Sequence, residues 1–421
     1  LAIIGLGYVG LPLALRASAN GFKVLGYDID AARIEKLTRH EAPDFLNDEE
    51  KILAENHSMK VNRDPSALSD IDTFIICVPT PVTHNHEPDL KPLISACETI
   101  APYIRKQSLV VVESTVNPGV CDEIVLPLLE EKTSLRVEQD FFFAYCPERI
   151  NPGDSRWNVE SIPRVLGGAG PRSAEEALIL YTALIEAPIH LMSAIKEAEA
   201  VKITENSFRD VNIAFVNEMA MSFKKLGIDI KRVLEGAATK PFGFMAHYPG
   251  CGVGGHCIPV DPYYLISYAK QNGFTHRFLE TARDINNQMP LYTISLLKET
   301  LKEKGKQLEG SRIALLGLAY KRDVPDIRES PALVIFEELQ KQGAHVQSYD
   351  PFIGEKSTVS SLEQALRYAD AVLIATDHSF FTDLAPKDFL RFGVDIVIDG
   401  RNCLEKEAFR LANMTYHGIG R

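Results

Sequence analysis

The residues of this 421-residue chain best suited to chemistry lie in PGCGVGGHCIPVDPYYL, residues 249–265. Glycines crowd around two cysteines, and Asp261 follows Cys257 by four positions. Glycines such as Gly254 let backbone amides approach a bound phosphate or an oxyanion, which would place the Cys257 thiol where a substrate carbon can reach it. Asp261, one turn on, can then stand beside the thiol or a water. Two plainer readings are weaker. Zinc would need a C-x-x-C pair or a second ligand cluster, and Cys251, His256 and Cys257 supply neither, so no metal is expected. A flexible linker is disfavoured because Pro249, Pro259 and Pro262 each fix a backbone angle. A thiol nucleophile is required only where a covalent adduct forms; simple alcohol oxidation needs none.

The elements that would position this chemistry begin at the first residue. LAIIGLGYVGLPLALRASANGFKVLGYDID reads as a strand, a glycine turn, a helix and a second strand ending at Asp28. Gly5, Gly7 and Gly10 form G-x-G-x-x-G, and with Tyr8 and Val9 they make a turn expected to hold a pyrophosphate at a helix N-terminus. Asp28 arrives 18 positions after Gly10, where it can bind both ribose hydroxyls. Its charge repels a ribose phosphate, so NAD is favoured over NADP. Arg33 lies near enough to pack on adenine and to soften that discrimination.

Strands continue at 73–81, 108–115 and 140–148, with Thr80, Ser114, Thr115 and Glu148 at their carboxyl ends, where ligands sit in an open parallel sheet. Loop and helix caps commonly use the same side chains. From Ser193 to about Lys225 helical spacing persists for roughly nine turns. Ser193 is its expected N-cap and Gly227 its stop. Lys202 and Asn206, four apart, share one face of that helix, for which a solvated surface is the ordinary explanation. So long an apolar stripe must be buried somewhere, and a two-fold interface giving at least a dimer is expected. A second strand-helix-strand series starts near residue 310 with RIALLGLAYK; Gly317 and Ala319 stand in its turn without the full three-glycine pattern. The uridine part of a substrate is a better ligand there than a second dinucleotide.

The expected fold is therefore α/β: two Rossmann-like, doubly wound parallel-sheet domains joined by a long central helix and helical region. The divisions fall at 1–192, 193–308 and 309–421. Forty-five basic and fifty-seven acidic residues leave a net charge of -12, which argues against nucleic acid as a partner. No run of about 18 apolar residues suggests a membrane span. The chain opens on an apolar strand without a signal-peptide layout, and seven scattered cysteines fit reduced thiols, so a cytoplasmic setting is expected. A dinucleotide turn together with a reactive thiol implies an alcohol oxidised twice. The first oxidation gives an aldehyde; Cys257 captures it as a thiohemiacetal, a second oxidation gives a thioester, and water releases a carboxylate.

GLGYVGLPLA, CVPTP, EST, AEAVKITEN, GVGGHCIPVDP and KRDVPDIRESPA occur in the order in which the UDP-glucose/GDP-mannose dehydrogenase family carries them, and the chain resembles that family over essentially its whole length. ATKPFGFM leading into the cysteine loop is most similar to the bacterial UDP-N-acetylglucosamine 6-dehydrogenase branch. The resemblance implies that Cys257 is the nucleophile and Asp261 its partner in acid-base and water chemistry. It implies that Lys202 and Asn206 stabilise the oxyanion and hold the reacting oxygen, and that Thr115 and Glu148 place water and assist proton transfer. Asp28, Arg33, Thr80 and Arg328 would contact the cofactor. Lys321, Tyr248 and Gly254 would contact the nucleotide sugar.

Some positions depart from the UDP-glucose enzymes of the family. A second glutamate four residues after the first is Pro152 here, and a lysine before the aspartate is Val260. An arginine upstream of the cysteine loop is replaced within KPFGFM, and Cys251 stands where proline is usual. These losses point away from UDP-glucose and toward a UDP-N-acetylhexosamine, best UDP-N-acetylglucosamine. The mannosamine and galactosamine epimers are alternatives. A two-electron β-hydroxyacid dehydrogenase and a noncatalytic NAD-binding assembly protein are the competing classes. Cys257 separates the first of these from the thioester route.

Overall fold

A computed structural model describes residues 1–43, 45–83, 87–150 and 157–421. The chain divides into two compact units, residues 1–206 with 263–275, and residues 207–262 with 276–421.

The first unit is built on eight strands: β1 (Ala2–Ile4), β2 (Leu25–Tyr27), β3 (Lys60–Asn62), β4 (Thr73–Ile76), β5 (Leu109–Val112), β6 (Phe142–Tyr145), β7 (Arg164–Gly168) and β8 (Ile189–Leu191). Their order is β3-β2-β1-β4-β5-β6-β7-β8, so the winding reverses between β1 and β4. The central strands are short apolar runs because helices cover both faces. Successive side chains point to opposite faces. Ile3, Ile75, Val111 and Ala144 accordingly enter one core, with Leu11, Leu15 and Ala17 of helix Gly10–Ala19. Ile4, Ile76, Val112 and Phe143 enter the other, with Leu93 and Cys97 of helix Lys91–Ile100. All pairings are parallel except that of β6 with β7. β7 and β8 extend the sheet beyond the strands read from the sequence.

The second unit holds β9 (Arg312–Leu316), β10 (His345–Tyr349), β11 (Ala371–Ile374), β12 (Ile396–Asp399) and β13 (Thr415–Gly418), all parallel in the order β10-β9-β11-β12-β13. Its faces alternate in the same way, Ile313, Leu315 and Leu373 on one side and Ala314, Leu316 and Val372 on the other.

Helix Ile195–Leu226 begins in the first unit and continues into the second. Ser193 lies two residues ahead of it, and its amide and hydroxyl both donate to Glu197, at 2.9 and 3.0 Å. Gly227, at φ +70°, ends it in the left-handed conformation that favours glycine. Among the described residues no helix is long and apolar enough to cross a membrane.

Candidate functional site

In the first unit, Gly5 leaves β1 at φ +94°, and its amide donates to the Tyr27 carbonyl at 2.8 Å. A Cβ on Gly10 would lie 1.9 Å from the Gly5 carbonyl oxygen, whereas one on Gly7 would meet nothing within 4 Å. Gly10 therefore brings helix against strand, and the space over Gly7 is open to a phosphate. Helix Gly10–Ala19 follows Val9 with no side-chain cap; the Leu11 amide donates to the Gly7 carbonyl at 3.1 Å and Pro12 has no N–H, so what the helix start offers an anion is the positive end of its dipole. Tyr8 stacks on Phe45 with ring centroids 4.3 Å apart. The buried Asp28 carboxylate, at the end of β2, accepts from the amides of Leu6 at 2.7 Å and Asp30 at 2.9 Å. Arg33 pairs with it at 3.0 Å. An open glycine, a helix N-terminus and a carboxylate at the next strand end together fit a dinucleotide.

The loops beyond β4 and β5 are stitched to one another. Thr80 Oγ1 donates to the Thr115 carbonyl at 2.6 Å, Ser114 Oγ to the Val78 carbonyl at 2.7 Å, and the Tyr264 hydroxyl to the Thr80 carbonyl. Glu148 follows β6. Its Oε1 accepts from the amides of Arg149 and Ile150, and its Oε2 from Arg164, which lies fully buried in β7. Arg164 also reaches Glu113 at 3.4 Å, and the Tyr181 hydroxyl donates to that second carboxylate. Burial pushes Glu113 up to about 7, against the opposing pull of Arg164. Removing one partner from such a buried pair costs about 3–5 kcal/mol. Lys202 and Asn206 are both buried, and Lys202 makes no hydrogen bond or ion pair with another described residue. Pro152 lies outside the described residues.

The second unit carries Tyr248, Gly254, Cys257, Asp261, Lys321 and Arg328. The glycines of the cysteine loop serve close packing: a Cβ on Gly254 would lie 2.7 Å from Tyr320 Cβ, and one on Gly255 2.7 Å from the Tyr320 ring. The Gly255 amide donates to the Arg328 carbonyl at 3.0 Å. The loop therefore lies flush on the segment that bears Lys321 and Arg328. Arg328 pairs with the buried Asp326, and Lys321 is half-buried. Cys257 precedes helix Asp261–Gln271, and its carbonyl accepts from the amide of the buried Asp261 at 2.8 Å. Tyr248 is 57% exposed. The two cysteines of the loop differ sharply. Cys251 is fully buried, its thiol donates to the Ala375 carbonyl at 3.2 Å, and burial raises its pKa. Cys257 is half-buried.

Several supporting residues escaped sequence reasoning. The Gly250 amide donates to Asn217 Oδ1 at 3.0 Å, Asn217 donates to Asn286 at 2.9 Å, and Asn286 donates to Asp210 at 2.8 Å. Arg283 pairs with the same Asp210. This buried chain ties the cysteine loop to two helices. Asp210 and Asn217, seven apart on helix Ile195–Leu226, were its one sequence signal. Arg164 and Glu113 sit at the start of one strand and just past the end of another; an arginine opening the run RVLGG is the only trace of the pair.

Three models of one family match consecutive parts of the chain. They are the UDP-glucose/GDP-mannose dehydrogenase NAD binding domain at residues 1–185, its central domain at 196–288, and its UDP binding domain at 314–406. A Pseudomonas aeruginosa protein named UDP-N-acetyl-D-glucosamine 6-dehydrogenase is 37% identical over 93% of this chain and 94% of its own length. A Pyrococcus horikoshii protein named UDP-N-acetyl-D-mannosamine dehydrogenase is also 37% identical, over 100% of this chain and 99% of its own. A solved structure described as a UDP-D-ManNAc dehydrogenase from Pyrococcus horikoshii superposes with a TM-score of 0.93, at 37% identity, covering 100% of this chain and 99% of that one.

Proposed function

Because the chain belongs to the UDP-glucose/GDP-mannose dehydrogenase family, we propose that it oxidises the 6-hydroxyl of a UDP-N-acetylhexosamine to the carboxylate through a thioester on Cys257. The carrying observation is the contrast within one loop: Cys251 is spent in the core, while Cys257 is half-buried one turn ahead of Asp261. Gly5, Gly7, Tyr8, Val9, Gly10, Asp28, Arg33, Thr80, Thr115 and Arg328 hold the cofactor. Bound there, NAD supplies the hydride acceptor for both oxidations.

The chain's own residues do the rest. Lys202, buried and without a hydrogen-bond or ion-pair partner among the described residues, stabilises the alkoxide and then the tetrahedral oxyanion, and the Asn206 amide holds the reacting oxygen. Cys257 Sγ bonds to the aldehyde carbon to make a thiohemiacetal, which keeps the aldehyde from escaping. Oxidation of that adduct leaves a thioester. Water placed by Thr115 and activated by Glu148 or Asp261 then breaks the C–S bond, returning the thiol and releasing the carboxylate. Per sugar, one water is consumed, two NAD are reduced, and three protons are released with the carboxylate. Tyr248, Gly254 and Lys321 bind the nucleotide sugar.

UDP-N-acetylglucosamine is our first choice of substrate and UDP-N-acetylmannosamine the second; ATKPFGFM running into the cysteine loop supports the first. A dimer built on helix Ile195–Leu226 belongs to the same reading, supported by Phe208 and Phe215, seven apart and each about half exposed. The test is incubation with NAD and a panel of UDP-sugars, with product mass and NADH counted. The wild type should yield two NADH per sugar, and Cys257→Ser should slow acid formation on the order of a thousandfold. Two NADH per sugar at an unchanged rate in the variant would refute the thioester route.

A further inference from the structure

We propose that Arg164 is a positioning residue for the reaction, fixing the Glu148 carboxylate in place and sharing its single positive charge between Glu148 and Glu113. The inference rests on the reading of Glu148 as the group that activates water. Both Glu148 oxygens are engaged from the protein side, Oε1 by two backbone amides and Oε2 by the guanidinium, so the carboxylate has one orientation. Arg164 has no exposed surface, and its Nε has no partner among the described residues. Its two outer nitrogens are divided between the two glutamates. Burial opposes its charge, and Glu148 and Glu113 together hold that charge on.

The groups that face Glu148 come from several elements. They are Glu113 after β5, Arg164 in β7, Cys77 after β4, Cys146 after β6, and Glu50 on helix Asp48–Asn56. Arg149, next to Glu148 in the chain, is committed to Glu205 and to the Pro163 carbonyl. Among the described residues, Arg164 is therefore the cation that pairs with Glu148, and Glu113 is the anion that competes for it. When Glu113 is neutral, the whole charge of Arg164 is available to Glu148. When Glu113 is ionised, it is divided.

The two neighbours differ in what their loss should do. Below about pH 7 Glu113 is mostly neutral and does not compete, so in Glu113→Gln the acid limb of the kcat/KM profile below that pH should keep its wild-type position, and any inflection near 7 caused by dividing the charge of Arg164 should disappear. In Arg164→Met the cation is gone, and the limb should move up by about one unit or more, with kcat falling at least tenfold. Arg164→Lys keeps the charge but loses the fork, so its limb should stay near the wild-type position while kcat falls. The KM for NAD should stay within about twofold in all three. A merely structural cluster would lower thermal stability in Arg164→Met and leave its acid limb where it is.

Profiles are measured by NADH formation on UDP-N-acetylglucosamine and on UDP-N-acetylmannosamine, with Glu148→Gln as reference. If Arg164→Met does not fold, Arg164→Gln is measured in its place. Superimposed acid limbs of the wild type and the uncharged Arg164 variant, with Glu148→Gln inactive, overturn the inference and leave the reading of Glu148 standing. Full activity in Glu148→Gln, or no turnover of either sugar by the wild type, removes the reading of the site and this inference with it.

Discussion

The turns IGLGY at residues 4–8 and LGLAY at 316–320 occupy corresponding places in the two sheets. Gly5 and Gly317 have φ of +94° and +86°, and their amides donate to Tyr27 and Tyr349 at 2.8 and 2.9 Å. The next amide in each, Leu6 or Leu318, donates to the aspartate after the second strand, Asp28 at 2.7 Å and Asp350 at 2.6 Å. From there they diverge. Gly7 has open space above it, and helix Gly10–Ala19 starts at once without a side-chain cap. Ala319 is buried, and its amide is taken by Asp350 at 2.9 Å. The second helix waits until Pro331 and is capped by the Ser330 side chain. The buried His378 donates Nε2–H to Asp350 at 3.0 Å, while its Nδ1 accepts the Asp323 amide at 2.8 Å. One turn leaves room over Gly7 for a ligand; the other closes on itself, with two successive amides spent on Asp350. A glycine turn after a strand thus specifies a backbone shape, and what surrounds it decides whether that shape can receive a dinucleotide.

Gly10→Ala should produce the largest effect. Its Cβ would fall 1.9 Å from a backbone oxygen and 2.9 Å from Cys77 Cβ, neither of which can yield without moving β1 or the helix. A loss of about 3 kcal/mol is expected, with NAD affinity at least a hundredfold weaker. Thermal unfolding and NAD titration check it; a wild-type Tm with near-normal affinity would show that the turn does not depend on this contact.

Asp350→Asn comes next, at about 2 kcal/mol near neutral pH, because buried amides and His378 lose a charged acceptor. Burial alone would raise Asp350, yet the hydrogen bonds from His378 and the Ala319 and Leu318 amides bring it below its ordinary 3.8. Its contribution is thus present above pH 3.8 and is lost as pH falls through the lower folded value. The stability gap between wild type and variant should narrow in acid. A gap that widened below pH 3.8 would contradict the assignment.

Both halves of this contrast were partly legible in the sequence. Gly5, Gly7, Gly10 and Asp28 announce the first turn because each does its work through local backbone geometry within one strand-helix-strand unit. The incomplete pattern at Gly317 and Ala319 set the second turn apart from the first, and the two differ in what surrounds them. His378 as the partner of Asp350 was not readable, since the contact depends on β11 lying beside β9. β3, β7, β8 and β13 were missed: KVN, RVLGG, IHL and TYHG are short and hold at most two apolar residues in succession. The same limit hid Tyr320 beneath Gly254 and Gly255. Those glycines read as a ligand cradle, and the Tyr320 side chain they also pack against lies more than sixty residues further along the chain.

The smallest effects come from exchanging the glycine and the alanine at corresponding places in the two turns, Gly7 and Ala319. In Gly7→Ala the new methyl meets nothing within 4 Å, so the folded state loses little and Tm should be nearly unchanged. The methyl would instead occupy the approach of the pyrophosphate, and NAD affinity should fall about tenfold, equivalent to about 1.4 kcal/mol. Ala319→Gly should cost about 1 kcal/mol of stability through backbone entropy and lost packing. It should create no second NAD site, because the Ala319 amide remains bound to Asp350 and the following helix remains capped by Ser330. Calorimetric titration reads both outcomes in one experiment as affinity and stoichiometry. One NAD bound per chain in Ala319→Gly supports internal consumption of donors as the difference between the turns; two NAD per chain would mean that a single methyl group, not His378 or the cap, had been excluding the dinucleotide.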